Sequence, residues 1–314
     1  MAANYWESTQ RRFWQFSKEE LAQMRQDLEE REQALVQMFP LPQTRHLNIF
    51  FNQQLNRLSK RLSVRQQAVA TAQIYLKRFY CKVEIRRMNP YLVLATALYL
   101  ACKMEECPQH IRMIVTEARS LWPDLLSPLD LTRIGECEFF LISEMNSQLI
   151  VHQPYRTLTT LQSEFYLSSD EHNLAVSVIN DHFMTDLPLL YAPHIIALTA
   201  ILLSLGRPLL TGAAQNMAAA AAAAALTQAQ GRTGGGGSGQ STPGTTEKDK
   251  QQNPQGAKMN RLMAFLAESN VDIVDMVDCT QELISFYECH EQYNDKMTRE
   301  QINRFVKARG LDKH

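Results

Sequence analysis

Residues 89–106 read NPYLVLATALYLACKMEE, and the fold class follows from how that stretch has to sit. Asn89 is suited to cap a helix and Pro90 to fill its first position, where a missing N–H costs nothing. From Tyr91 to Cys102 the helix is apolar nearly all round, leaving no polar side for water. Such a helix is buried on every face, so the stretch predicts a bundle with this segment at its centre. The carboxylates that close it, Glu105 and Glu106, stand where the helix macrodipole favours cations, at a cost of roughly a few tenths of a kcal/mol each. A residue that breaks a local rule is a candidate for function; the plain alternative is that the helix has already ended and both side chains are solvated.

Working outward, the helical period recurs almost throughout, with no sustained two-residue alternation that would mark a sheet. An all-α fold is expected. Leu47, Phe50, Phe51, Leu55 and Leu58 form one apolar stripe between His46 and Arg61. A second helix runs from about Val64 to Tyr80, a fourth from His110 to Leu121, and a fifth from Ser127-Pro128 to about Met145. A further series covers Tyr155–Tyr166, Asp170–Leu187 and Pro193–Leu205, and resumes at Met259–Leu266, Val271–Tyr293 and Thr298–Arg309. Between the two parts, residues 207–256 include eight consecutive alanines and Gly234 to Gly237, a composition too poor in large apolar groups to pack. The expected organisation is an N-terminal helical segment (1–43), a first five-helix unit (44–149) and a second unit (150–310) interrupted by the low-complexity insertion at about 207–256.

Composition narrows the function classes. The chain has 314 residues, 45% of them apolar and 21% charged, with a formal net charge of −1, so it has no general attraction to polyanions. Six cysteines fall singly in helix-like, apolar surroundings, where thiols act as small hydrophobes, and a reducing compartment is the default. Asn4, Glu7, Gln10, Arg11 and Arg12 occupy the place of a signal peptide's apolar core, and the apolar run from Ile195 to Gly206 is too short to cross a bilayer.

No catalytic constellation emerges. Gly234 to Ser241 approaches a phosphate-binding loop, but Gln240 stands where the lysine is needed and no strand precedes it. Cys102, Cys107 and His110 match no common zinc spacing and lack a fourth ligand nearby, so they read as packing thiols and a surface histidine. Between Arg57 and Arg87 nine basic residues face Glu84 alone, which is either a surface for an acidic partner or the solvated side of two helices. Tyr5, Trp6, Phe13 and Trp14 place four aromatic groups ahead of the first unit, either as interface anchors or folded back on the chain itself.

The segment Leu100-Ala-Cys-Lys-Met-Glu-Glu106 resembles the signature of the cyclin family, a buried helix ending in A-(S/C)-K-x-E-E, and Arg133-Ile-Gly-Glu-Cys-Glu-Phe-Phe-Leu141 resembles its companion helix. Met1 to Thr9, Val64 to Ala72 with Lys77 to Tyr80, and Ile150 to Arg156 are similar to the transcriptional cyclin C group; Asn180-Asp181, Thr185-Asp186-Leu187 and Leu190-Tyr191 resemble its second box. Asn48 and Lys77 depart from the arginine and aspartate that cell-cycle cyclins carry, and Gln54 replaces their docking tryptophan. The resemblance implies two consecutive five-helix cyclin boxes and a nuclear, non-catalytic subunit. Such a subunit binds and activates the cyclin-dependent kinase of the Mediator kinase module, alongside that module's other subunits, and so regulates RNA polymerase II transcription. It implies Lys103, Glu106 and Glu136, with Tyr5 and Trp6, as kinase-binding residues, and Asn180 and Asp181 as a partner surface of the second box. No metal, cofactor, membrane or direct nucleic-acid contact is expected. A cyclin-fold transcription scaffold that touches DNA without a kinase is the alternative, and the basic stretch is its support.

Overall fold

The computed structural model describes residues 4–126, 130–206 and 254–312, and in these the regular structure is helical. A single 3₁₀ turn at Tyr5–Glu7 leads into α1 (Thr9–Phe13), α2 (Lys18–Arg31) and α3 (Gln33–Met38). The first bundle comprises α4 (Thr44–Arg61), α5 (Gln66–Tyr80), α6 (Pro90–Met104), α7 (Ile111–Leu121) and α8 (Leu131–Glu144). Then come α9 (Pro154–Glu164), α10 (Ser169–His182), the short α11 (Leu187–Leu190) and α12 (193–206). After them follow α13 (Pro254–Glu268), α14 (Ile273–Gln292) and α15 (Asp295–Ala308). The expected helix start at Ser127-Pro128 and nearly all of the insertion lie outside the described residues.

The central helix behaves as its composition requires. Asn89 caps α6 by accepting from the Tyr91 N–H at 3.0 Å, and every residue from Pro90 to Leu98 is buried. It packs chiefly against α5 and α8, and one core gathers Phe50, Leu55, Tyr75, Phe79, Leu94, Ile134 and Leu141. A second core joins α9, α10, α12, α13 and α14 through Leu158, Phe165, Ile179, Ile196, Leu262 and Leu283. Ala70 and Ile74 of α5 belong to this second core while Tyr75 and Phe79 belong to the first, so α5 is the wall the two bundles share.

Two elements depart from the sequence expectation. The predicted helix Asp170–Leu187 stops at His182, and a separate short helix, α11, starts at Leu187 with Pro188 in its first turn, where the missing N–H costs nothing. The Thr185 hydroxyl closes the break, donating to the His182 carbonyl at 2.7 Å and accepting from the Leu187 N–H at 3.2 Å. The last helix, next in sequence to the second bundle, packs on the first: Ile302, Phe305 and Val306 enter the first core, and Tyr91 Oη donates to Asn303 Oδ1 at 2.6 Å. Phe305 also meets Phe39 edge-on at 6.0 Å, and Asn89 Nδ2 donates to the Leu311 carbonyl at 3.0 Å.

His182 is fully enclosed, and burial pushes its pKa down to about 3, so the folded chain holds it neutral. The unfolded chain binds a proton there below about pH 6.5 while the folded chain does not, so stability falls as pH drops from that value toward 3. Chemical denaturation at stepped pH is expected to show this acid loss, and His182→Phe is expected to reduce its slope; an unchanged slope would assign the loss to other groups.

Candidate kinase-docking surface

Lys103 and Met104 form the last turn of α6, and the helix closes in a left-handed cap. The Cys107 N–H donates back to the Cys102 carbonyl at 3.0 Å while Glu106 sits at φ 53°, the six-to-one bond of the Schellman motif. A non-glycine residue at that angle costs about 1 kcal/mol. The cap separates the two terminal carboxylates. Glu105 is turned inward, accepting from Thr71 Oγ1 at 2.5 Å and Gln67 Nε2 at 2.6 Å, while Glu106 is exposed.

Lys103 leans on the Tyr99 ring, Nζ 4.6 Å from its centroid, and its ammonium pairs with Glu138 of α8. Glu136 is elsewhere: it is exposed and borders a separate hollow with Arg87, Arg133 and Leu311. Helical geometry explains the choice. α8 buries Ile134, Cys137 and Leu141, and at about 100° per residue Glu138 flanks that seam whereas Glu136 points nearly opposite. The structure therefore brings Lys103 together with Glu138, a residue that sequence reasoning passed over and that the same helical period would have found. Met104 and Phe139, next in sequence to the pair, are exposed, Phe139 at 76%.

The N-terminal segment borders a cleft of about 980 Å³ together with Met104, Glu105, Ile150, His152, Gln153 and His194. Gln10 pins the segment to the linker between the bundles by donating to the His152 carbonyl at 3.2 Å and accepting its N–H at 2.7 Å. Tyr5 packs edge-on to His152 at 5.6 Å and donates to Gln15 Oε1 at 2.6 Å. Trp6 tilts onto His194 at 5.3 Å, carries the Arg11 guanidinium 5.2 Å over its face, and stays 55% exposed. Burial lowers the pKa of both His152 and His194, which favours neutral rings. The four N-terminal aromatics thus divide: Trp14 is buried in the first core, Tyr5 is half-buried, and Trp6 and Phe13 are exposed.

Asn180 and Asp181 at the end of α10 are both partly buried and both engaged. Asn180 Oδ1 accepts from Tyr155 Oη at 2.6 Å and from Gln66 Nε2 at 3.1 Å, joining the bundles, and Asp181 Oδ2 accepts from Tyr287 Oη at 3.2 Å. The basic stretch is largely spent inside the fold. Arg57 pairs with Asp295, Arg61 with Glu117, Arg86 with Glu84 and Arg87 with Glu32, while Lys77 and Arg78 are buried. His110 caps α7 by accepting from the Arg112 N–H at 3.2 Å. Among the described residues no group of three potential metal ligands comes together, and no helix is long and apolar enough to cross a membrane.

Comparison with known proteins places this scaffold. Residues 13–150 match the cyclin N-terminal domain family. Among solved structures, a chain of the CAK complex from Chaetomium thermophilum bound to ATP-gamma-S superposes with a TM-score of 0.61 at 20% identity, covering 98% of this chain and 88% of that one. A chain of the yeast TFIIK (Kin28/Ccl1/Tfb3) complex does so with a TM-score of 0.58 at 16% identity, covering 89% and 100%. The RNA polymerase II holoenzyme cyclin-like subunit of Neurospora crassa is 63% identical over 345 residues, and that of Gibberella moniliformis 64% identical over 320, each spanning 100% of both chains. With the cyclin N-terminal domain matched over residues 13–150 and full-length identity of this order to the curated relatives, the chain belongs to the family of RNA polymerase II holoenzyme cyclin-like subunits.

Proposed function

We propose that the chain is the regulatory subunit of a nuclear cyclin-dependent kinase in the Mediator kinase module, and that it promotes phosphorylation of the polymerase C-terminal repeat and of transcription factors by that kinase. It performs no chemistry itself. The observation that carries this reading is the Lys103–Glu138 pair, set at the exposed end of the central helix beside Met104 and Phe139. An oriented ammonium and carboxylate offer a partner helix charge-assisted hydrogen bonds, and the neighbouring apolar groups supply area to bury. Glu106, displayed by its left-handed cap, extends the same rim, and Trp6 with its cleft provides a second contact for the kinase. Docking there would hold the kinase's regulatory helix inward, where its glutamate pairs with the strand lysine that positions ATP phosphates. Asn180 and Asp181, at the junction of the two bundles, are assigned to a further subunit of the module.

The test is purification of the tagged full-length chain from nuclei, followed by a kinase assay on a heptad-repeat peptide. One cyclin-dependent kinase is expected to co-elute, and its activity is expected to depend on added chain. Recovery of the chain on promoter DNA with no kinase present would overturn the assignment.

A further inference from the structure

Cys102 and Cys107 bracket the left-handed cap that ends α6. In a Schellman motif the two residues joined by the six-to-one bond often touch through their side chains as well, and here both are cysteines. Cys102 is fully buried in the first core, Cys107 is partly exposed and packs on that core, and a side-chain hydrogen bond links the two thiols. Between them lie only Lys103, Met104, Glu105 and Glu106, among them the charged groups of the docking rim.

Thiols in contact can be joined with little movement, since a disulfide needs its sulfurs at about 2.05 Å and its Cα atoms within about 7 Å of each other. The backbone bond from Cys107 to Cys102 already holds the ends of the small ring together, so closing it restricts the chain little further. Access sets the order of events. Burial pushes the Cys102 thiol up to about 12, leaving it protonated and shielded, so an oxidant meets Cys107 first. A low-molecular-weight disulfide such as oxidised glutathione supplies the two oxidising equivalents. The Cys107 sulfur bonds to one glutathione sulfur and releases the other as glutathione, which takes the Cys107 proton. Cys102 then displaces the second glutathione from Cys107, and its own proton leaves with it. Two protein thiols are oxidised and one glutathione disulfide is reduced to two thiols. The contact makes the second step intramolecular, which offsets the reluctance of Cys102 to ionise.

We propose that Cys102 and Cys107 form a reversible disulfide, a redox site that staples the end of α6 and weakens docking at the rim. Going from a contact to a bond draws Cys107 toward the core and the 103–106 turn with it, which shifts Glu106 from its displayed position. The effect on docking rests on the assignment of this rim to the kinase; the bond itself does not. In a reducing compartment such a bond is of the transient, redox-sensing kind.

The test equilibrates the full-length chain in glutathione buffers from fully reduced to fully oxidised, then blocks free thiols and maps the tryptic peptides by mass spectrometry. Trypsin cleaves after Lys103 and so separates the two cysteines, and the disulfide would hold peptide Met88–Lys103 to peptide Met104–Arg112. This linked pair is expected to appear as the buffer is oxidised, to vanish with dithiothreitol, and to be absent from Cys107→Ser and Cys102→Ala. In a parallel kinase assay the oxidised chain should reach half-maximal activation at a concentration about tenfold higher, the loss of one charged hydrogen bond, and Cys107→Ser should not respond to oxidation. Should Cys102→Ala fail to fold, Cys107→Ser, at a partly exposed position, carries the same decision. Cys107 still free in the fully oxidised buffer, or present only as its glutathione adduct, would overturn the disulfide. A linked pair with unchanged activation would overturn the effect on docking. A reduced chain that activates no kinase would overturn the kinase assignment and the docking effect with it, while the peptide map decides the disulfide on its own.

Discussion

Lys103→Glu is expected to give a folded chain that no longer activates its kinase. The substitution sets a second carboxylate against Glu138 at the end of α6 and withdraws the ammonium from any partner. Truncating one side of a desolvated charged contact costs about 2–5 kcal/mol of binding, roughly thirtyfold to several thousandfold at 1.4 kcal/mol per decade. In the free chain the pair is partly exposed, so the melting point should hardly move, since pairs of this kind contribute about 0–1 kcal/mol to stability. Glu138→Ala should reproduce the binding defect, and Glu136→Ala should leave activation near the parent level. Titrating each purified variant into the kinase and recording activity and thermal melts decides the matter. Full activation by both the Lys103 and Glu138 variants would remove this rim from the interface, and a defect confined to Glu136→Ala would move the contact to the outer side of α8.

The second large effect falls on stability. Trp14→Ala should lower the unfolding free energy by about 3–5 kcal/mol, the range for deleting a buried aromatic side chain. Trp14 is 2% exposed, and its indole N–H donates to Gln148 Oε1 at 2.6 Å. Its face also covers Arg78, whose guanidinium carbon lies 5.2 Å from the ring centroid. Arg78 is fully buried, donates from Nη1 to the Gln148 carbonyl at 2.7 Å, and leaves Nε and Nη2 without partners; burial lowers its pKa to about 10. Without the indole a cation with no carboxylate partner loses its cover. Trp6→Ala, at an exposed site, should cost about 0.5 kcal/mol or less. Urea unfolding of the two variants beside the parent is the measurement; equal midpoints would show that Trp14 contributes no more than its exposed neighbour.

How far the sequence could be read depended on whether a signal was local. The central helix was legible because its burial is written into consecutive residues from Pro90 to Cys102. Its exit was legible as an anomaly, since Glu105 and Glu106 violate the macrodipole rule, but the left-handed cap that turns one inward and the other outward has no glycine to announce it. The Glu138 contact was within reach of helical periodicity; a residue-by-residue carry-over of a family motif led to Glu136 instead. Trp14 was ambiguous because its partners, Arg78 and Gln148, are distant in sequence. The basic stretch reads as a surface for the same reason: Asp295 of α15, Glu117 of α7 and Glu32 at the joint of α2 and α3, which pair with it, are distant in sequence.

The return of α15 to the first bundle bears on how the chain is made. Tyr91, Phe39 and Asn89 wait for Asn303, Phe305 and Leu311, and these leave the ribosome only after the whole of the second bundle. At roughly 5–20 residues per second, translating Met145 to Asn294 takes on the order of 8 to 30 seconds. Throughout that interval the nascent first bundle presents an open apolar seam, a natural station for a chaperone. A premature stop codon before α15 would leave the seam open for good, so a message truncated there should yield a polypeptide cleared by quality control, even though every residue of the docking rim has already been translated.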